Sequence, residues 1–416
     1  MFVRELRLRD YRSWPDVAVP LGPGPTVFTG RNGFGKTNLV EALFYLATLR
    51  SHRVSTDGPL VRSGMESAVV TATVENTGRE LTATLQINAE GSNKAWLNGS
   101  PLRRPRELLG VLRAVLFAPE DLLLIRGDPA DRRRFIDELV AARGPRWAAA
   151  RSDYDRVLRQ RSALLKTAGA AIRRSGSDAD SVLSTLDVWD GQLADLGGQV
   201  TAARIEVLGE LEPHVINSYA SIAPHSRPAA LRYRAAAGPD IVPAPGERAD
   251  PDVIAEQLLT RLAQARTKEI ERGVSLVGPH RDDIDVLLGS DIAKGFASHG
   301  ESWSLALALR LGSVELIRDE GVEPVIILDD VFAELDAARR RELVTYVSGA
   351  EQLLITAAVA DDIPSQIGGR RIGIDVVEGA AGGRHSVLVN TIAGPGASES
   401  HTDGARMSDE SGRILP

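Results

Sequence analysis

The sequence of 416 residues contains no cysteine. Disulfide bonds and metal sites built on thiolates are therefore excluded, as is usual in the reducing cytoplasm. The sequence also lacks an apolar run near the roughly 18 residues that a membrane-spanning helix requires, and the charged residues Arg4 and Glu5 stand at its start. We therefore expect a cytoplasmic protein that is neither secreted nor inserted in a membrane.

Aromatic residues are scarce, at 5% of the chain, and the formal net charge of −7 argues against a surface that is basic throughout. A basic surface that binds nucleic acid would therefore have to be confined to one part of the chain. Residues 126–174 contain 13 Lys and Arg against 6 Asp and Glu, a local balance of +7. This contrast indicates a DNA-facing surface, although a solvated helical face with internal ion pairs has the same composition.

A glycine-rich stretch, residues 30–37, follows an apolar run and precedes a predicted helix. It fits the pattern G-x-x-x-x-G-K-[ST] of a phosphate-binding loop. The glycines allow backbone N–H groups to surround anionic oxygens, while Lys36 is predicted to reach the outer phosphates and Thr37 to bind magnesium. These glycines are Gly30, Gly33 and Gly35. The alternative, a glycine-rich turn with one exposed lysine, does not account for the complete pattern.

A second part of the site is predicted where the apolar run 325–328 ends in Asp329 and Asp330. Asp329 is the candidate magnesium partner, and Asp330 is placed to orient the attacking water and accept its proton. The alternative is a core strand that ends in an acidic turn. Because Lys36 and Asp329 are 293 positions apart, a large insertion must separate the two halves of the site.

A third part is predicted at Ser298 and Gly300, just before the apolar stretch 302–311. A serine and a glycine that open a helix form an anion-binding terminus. Alone they predict only a helix cap. Their position between the insertion and the acidic strand matches the S-x-G-[QE] pattern of ABC-type ATPases.

The predicted fold class is α/β: an ABC-type ATPase head with an antiparallel β annex and a mostly helical inserted lobe. Residues 1–125 are predicted to form the N-terminal part of the head and residues 126–273 the helical lobe. Residues 274–392 are predicted to form the C-terminal part of the head. Residues 393–416, which have almost no large apolar groups, are predicted to be a disordered tail.

Taken together, these segments resemble the RecF family of SMC-like ABC ATPases. Besides the phosphate loop with Asn32 and Asn38, the signature around Ser298 and the acidic strand, further segments carry the resemblance. They are residues 6–12, 47–53, 117–122, 127–137, 278–283 and 331–336. Matches extend from residue 3 to about residue 362, so nearly everything except the tail is covered.

The resemblance implies an ATP-dependent homodimer that uses Mg²⁺. Nucleotide would lie between one phosphate loop, including Asn32 and Asn38, and the partner's signature at Ser298 and Gly300, with Asp336 across the interface. The family relation further implies a role in DNA repair, DNA replication and the SOS response, with binding to double-stranded and single-stranded DNA at gaps or junctions. Implied partners are the mediator proteins RecR and RecO, and indirectly RecA.

Under this resemblance the DNA-contacting candidates are Arg132, Arg133 and Arg134, together with Arg53. Residues 51–53, which include Arg53, are a candidate for contact either with DNA or with nucleotide. Catalysis is assigned to Lys36 and Asp330. Broader ABC enzymes carry glutamate at the position of Asp330, so we expect a weak, switch-like, DNA-dependent ATPase. Two readings from other classes remain at this stage: a phosphotransferase with a phosphate loop, and an ATPase subunit of a membrane transporter.

Overall fold

The computed structural model describes residues 1–173, 177–244, 247–378 and 383–392; the predicted tail, residues 393–416, lies outside the described residues. The strands are β1 (Phe2–Tyr11), β2 (Trp14–Pro20), β3 (Gly24–Thr29), β4 (Ser67–Asn76), β5 (Arg79–Asn88), β6 (Lys94–Leu97), β7 (Ser100–Pro101), β8 (Ala114–Phe117), β9 (Ala229–Arg234), β10 (Asp283–Leu288), β11 (Asp291–Ile292), β12 (Val325–Asp329), β13 (Gln352–Ala357), β14 (Arg370–Glu378) and β15 (Arg384–Ile392). The helices are α1 (Lys36–Thr48), α2 (Leu122–Arg126), α3 (Pro129–Ala142), α4 (Pro145–Arg173), α5 (Ser177–Ile222), α6 (Pro251–Arg272), α7 (Ala293–Phe296), α8 (His299–Asp319) and α9 (Ala337–Val347).

The first sheet is antiparallel, with strand order β2-β1-β4-β5-β6-β7. Strands β4 and β5 form a hairpin in which Asn76 pairs with Arg79 across the two residues Thr77 and Gly78. Both turn residues have positive φ, 49° and 75°, as a two-residue hairpin turn of this hand requires. The sequence Asn76-Thr77-Gly78 between two β-rich runs predicts a hairpin, and the structure confirms it.

The second sheet has the order β15-β14-β3-β13-β12-β8 and is parallel except for β15. Strand β3, which leads into the phosphate loop, and β12, which ends in Asp329, are separated only by β13. Because the carboxyl ends of parallel strands meet at one edge of a sheet, this order brings the phosphate loop and the acidic strand together.

Both faces of the parallel sheet are covered by apolar cores. Val325 and Ile327 of β12 belong to the core that contains α1 and the antiparallel sheet. Ile326 and Leu328 belong to the opposite core, which α8 and α9 complete. The continuous apolar run of β12 is explained by burial on both faces, as expected for a central parallel strand.

The helical lobe contains helices α3 to α6. The dipeptide Asp128-Pro129 predicts the start of a helix, and α3 begins there: Asp128 is the N-cap, its N–H donates to the Asp131 side chain at 3.1 Å, and Pro129 is the first helical residue. The helical periodicity of the sequence predicts a helix from about Asp180 to Leu211, but α5 continues to Ile222. Its buried stripe extends through Val215 and Tyr219, so packing continues beyond the predicted end.

A small third sheet, with order β11-β10-β9, connects the lobe to the chain beyond it. Strand β9 lies before residue 273 and β10 after it, so this sheet crosses the predicted boundary between lobe and head. The exact domain limits stay a prediction. In the part of the chain that the structure describes, no helix is both long and apolar enough to cross a membrane.

Candidate functional site

The phosphate loop has a backbone that requires glycine. Gly33 and Gly35 have positive φ, 82° and 99°, the region that residues with a Cβ seldom adopt. A Cβ on Gly30 would also overlap the carbonyl oxygen of Ile374, and one on Gly35 would overlap the hydroxyl of Ser386. Strands β14 and β15 therefore press directly on the loop and fix its shape.

Lys36 and Thr37 begin α1 and have different partners. Lys36 is 3% exposed, and its Nζ donates to the carbonyl oxygen of Gly30 at 2.8 Å and lies 3.3 Å from Oδ1 of Asn32. Thr37 Oγ1 donates to Oδ1 of Asp329 at 2.9 Å, across 292 positions of sequence. The predicted loop and the predicted acidic strand thus form one site.

Thr356, at the end of β13, holds both aspartates. Its Oγ1 donates to Oδ1 of Asp329 at 2.6 Å and accepts from the backbone N–H of Asp330 at 3.0 Å. Residues 356–358 lack the histidine that many ABC ATPases place there, and this role of Thr356 was not predicted. The available signal was a threonine at the carboxyl end of an apolar strand.

Asp330 lies next to the site in a conformation that is uncommon for a residue with a side chain, with φ of 50°. Burial raises the pKa of its carboxyl group; Asp329 and Asp362 add to the rise, and the positive charge of Lys36 opposes it. A raised pKa favours a carboxylate that accepts a proton from water.

The oxygen atoms at this site are suitable ligands for a magnesium ion that also binds phosphate. Mg²⁺ takes one or two carboxylates plus phosphate oxygens and waters, rather than a cage of protein ligands. Thr37 and Asp329 supply a hydroxyl and a carboxylate side by side. Within the described ranges, there is no group of three or more His, Cys, Asp or Glu side chains that could hold a metal alone.

A buried carboxylate behind the phosphate loop was not predicted. Glu41 of α1 is fully buried and accepts two hydrogen bonds from Arg12, at 2.5 and 2.6 Å. Arg53 lies 3.6 Å from Glu41 and donates to Oδ1 of Asn38 at 3.1 Å. The predicted DNA-contacting Arg53 and the predicted nucleotide-contacting Asn38 are therefore in direct contact. A glutamate inside an apolar helix was the signal available in the sequence.

The signature begins α8. Ser298 is its N-cap: the Ser298 side chain accepts from the N–H of Glu301, and Glu301 accepts from the N–H of Ser298. A Cβ on Gly300 would lie 2.7 Å from the guanidinium of Arg339, which is ion-paired with Asp336. The signature and the segment that carries Asp336 are thus packed together within one chain.

The three consecutive arginines of α3 have different environments. Arg132 is 6% exposed and its guanidinium is bonded to Asp283 at 2.8 and 3.0 Å. Arg133 is partly buried and donates to the carbonyl oxygen of Asp282 at 2.7 Å, whereas the Arg134 side chain is 41% exposed. The Arg132 guanidinium is therefore not accessible to a DNA phosphate, contrary to the expectation from the sequence, because it is buried and paired with Asp283.

The motif at residues 278–283, whose role the sequence does not reveal, lies at the centre of the lobe. Nδ1 of His280 is 2.6 Å from the hydroxyl of Tyr154, and its Nε2 is 3.3 Å from the carbonyl oxygen of Ser275. Burial lowers the pKa of His280 to about 4. Asp282 accepts a hydrogen bond from Tyr233 at 2.7 Å. The motif is a structural connection between α4 and the small sheet.

Comparison with known proteins identifies the family. Residues 2–370 match the RecF/RecN/SMC N-terminal domain model. The chain is 56% identical over 400 residues, 94% of this chain and 97% of the relative, to the DNA replication and repair protein RecF of Rhodococcus erythropolis. The chain belongs to the RecF family.

Solved structures of RecF agree with this assignment. The structure of the recombination mediator protein RecF-ATP in the RecFOR pathway matches with a TM-score of 0.79 at 26% identity, covering 93% of this chain and 97% of that chain. The RecF-ATPrS structure matches with a TM-score of 0.78 at 26% identity, covering 89% and 95%. The predicted fold class, a RecF-type ATPase head with an antiparallel sheet and a helical lobe, is confirmed, as is the role in DNA replication and repair.

Proposed function

We propose that this RecF-family ATPase binds ATP and DNA, dimerises when ATP is bound, and helps to load recombinase at gaps or junctions during recombinational repair and replication restart. The observation that carries the proposal is the 2.9 Å hydrogen bond between Thr37 and Asp329. It joins the phosphate loop to the carboxylate that we propose holds magnesium, and a nucleotide hydrolase requires both elements.

In the proposed site the phosphate loop surrounds the triphosphate. The nucleotide-contacting residues are Gly30, Asn32, Gly33, Gly35, Lys36, Thr37 and Asn38. Thr37 and Asp329 hold Mg²⁺, which neutralises charge on the phosphates. Asp330 orients the attacking water and accepts its proton. Its short side chain reaches less far than glutamate, which supports slow hydrolysis that serves as a switch.

The proposed dimer places the partner's signature against the phosphate loop. Ser298 and Gly300 open α8 with N–H groups directed along the helix axis, a suitable end for a phosphate. In the described part of the chain, neither residue makes a hydrogen bond to the phosphate loop of its own subunit. This supports a site that a second subunit completes.

The proposed DNA surface uses the exposed Arg53 and the partly exposed Arg134, together with Arg133. Contacts of arginine with phosphates predict salt-sensitive binding to double-stranded and single-stranded DNA, with little dependence on sequence. Work with RecR and RecO, and indirectly with RecA, in the cytoplasm is part of the same proposal and is supported by membership of the RecF family.

Sedimentation velocity with and without MgATP tests the switch. Wild type is expected to be monomeric without nucleotide and dimeric with it, while Lys36→Ala stays monomeric. Asp330→Asn is expected to bind ATP, hydrolyse it about 10²- to 10⁴-fold more slowly and accumulate as dimer. Equal dimerisation of wild type with and without MgATP would contradict the proposal.

A further inference from the structure

His52 lies at the edge of the phosphate site without a partner. Its side chain is 9% exposed, and its Nε2 is 3.8 Å from Oδ2 of Asp329. Neither ring nitrogen of His52 has a hydrogen-bond partner in the described structure. Buried polar atoms are nearly always hydrogen-bonded, so an imidazole with two free nitrogens points to a ligand.

The two oxygens of Asp329 are not equivalent. Oδ1 accepts hydrogen bonds from the hydroxyls of Thr37 and Thr356. Oδ2 faces His52 at a separation that is too long for a direct hydrogen bond. A separation of 3.8 Å allows one oxygen atom to lie about 2.8 Å from both Nε2 and Oδ2, which is an ordinary hydrogen-bond length.

The position of His52 is fixed by its neighbours. Ser51 donates to Glu41 at 2.5 Å and accepts from the N–H groups of Arg53 and Val54 at 3.0 and 3.1 Å. The ring of His52 packs edge-on against Phe44, with centroids 6.1 Å apart. Glu41 and Phe44 both belong to α1, the helix that follows the phosphate loop, so these contacts position the imidazole relative to that loop.

We propose that His52 is a further nucleotide-contacting residue, whose Nε2 bonds an oxygen of the magnesium–triphosphate unit at Asp329. This inference rests on the proposed function, since it requires MgATP at the site. The oxygen belongs either to a water on the magnesium or to an outer phosphate group. Either oxygen can form a hydrogen bond with the imidazole. A titration with and without magnesium distinguishes the water from the phosphate group.

The test is calorimetric titration of the full-length protein with ATP, once with MgCl₂ and once with EDTA. His52→Phe keeps a ring against Phe44 but removes both nitrogens, and it is expected to bind MgATP about tenfold more weakly. His52→Gln returns an amide near the Nε2 position and is expected to bind within about threefold of wild type. His225→Ala, at an exposed histidine, is the matched control and should bind as wild type does.

A loss confined to magnesium conditions supports the proposal and assigns the oxygen to a metal-bound water; an equal loss in EDTA supports it and assigns a phosphate oxygen. Unchanged binding by His52→Phe in both conditions overturns it. If His52→Phe does not fold, His52→Asn, whose amide stops short of the Nε2 position, is compared with His52→Gln, and equal affinities of the two overturn the proposal. Failure of wild type to bind MgATP would instead contradict the proposed function.

Discussion

The helical lobe and the phosphate site differ in whether their buried polar side chains have hydrogen-bond partners. His280 and His52 show the difference. His280, in the helical lobe, has a partner at each ring nitrogen: Tyr154 on one side and the Ser275 carbonyl on the other. His52, beside the phosphate loop, has a partner at neither. A buried polar group whose partners are all present stabilises the fold, whereas one that lacks them indicates a ligand.

The acidic residues follow the same division. In the lobe, Asp137 accepts two hydrogen bonds from Arg204, at 2.7 and 3.0 Å, and one from Arg151 at 2.9 Å. At the phosphate site, one oxygen of Asp329 is bonded and the other is 3.8 Å from His52. Substitutions in the lobe should therefore lower stability, and substitutions at the phosphate site should lower nucleotide binding.

The largest effect is expected at Arg204, which is 1% exposed. Arg204→Met leaves Asp137 buried with one partner fewer and should lower the free energy of unfolding by about 3–5 kcal/mol. Urea denaturation measures this change. The control Arg156→Met removes an exposed ion pair with Asp153 and should change stability by less than about 1 kcal/mol. If the free energy of unfolding fell equally in Arg204→Met and Arg156→Met, the proposed difference between buried and exposed ion pairs would be contradicted.

Lys36→Ala tests the other side of the comparison. Removing the buried ammonium from the phosphate loop should weaken MgATP binding by more than about a hundredfold, or about 3 kcal/mol. Calorimetry measures the affinity, and urea denaturation should show little change in stability. Lys94→Ala, at an exposed lysine of β6, is the control. A stable Lys36→Ala protein with normal affinity would contradict the assignment of the loop.

His280 predicts a pH dependence of stability. Its pKa is about 4 in the folded protein and 6.5 in an unfolded chain. Between these values the unfolded chain binds more protons, so stability is complete above pH 6.5 and falls as the pH decreases toward 4. The loss attributable to His280 should be about 1 kcal/mol at pH 5.5 and about 3 kcal/mol at pH 4.

Urea denaturation at several pH values measures the His280 effect, with His280→Asn as the control. The variant should be less stable at neutral pH but should lack this part of the acid sensitivity. Identical pH profiles for wild type and His280→Asn would show that His280 does not cause the dependence.

The smallest effect is expected at Arg134, which is partly exposed and lies 3.4 Å from Asp131. Arg134→Glu should weaken binding to gapped duplex DNA by about five- to tenfold at low salt, and by less at high salt because phosphate contacts are screened. Fluorescence anisotropy measures the affinity. Arg132→Met, at the buried neighbour, should instead lower stability. Unchanged DNA affinity of a folded Arg134→Glu protein would place the DNA surface elsewhere.

Much of the fold was predictable because its signals are local. The hairpin turn at Thr77 and Gly78, the N-cap at Asp128 and the apolar strand that ends in Asp329 each depend on residues close together in sequence. The end of α5 and the small sheet through β9 were not predicted, because packing against distant segments decides them.

The sequence by itself determined the chemistry of the phosphate loop, since glycine spacing and the lysine and threonine that follow it specify the backbone and the charges. Only the tertiary structure decided which polar side chains are open to a ligand. It placed Thr356 between the two aspartates, enclosed Arg132 with Asp283 and left His52 facing Asp329. A hydrogen bond forms only within about 3.5 Å, and the path of the whole chain sets which residues come that close.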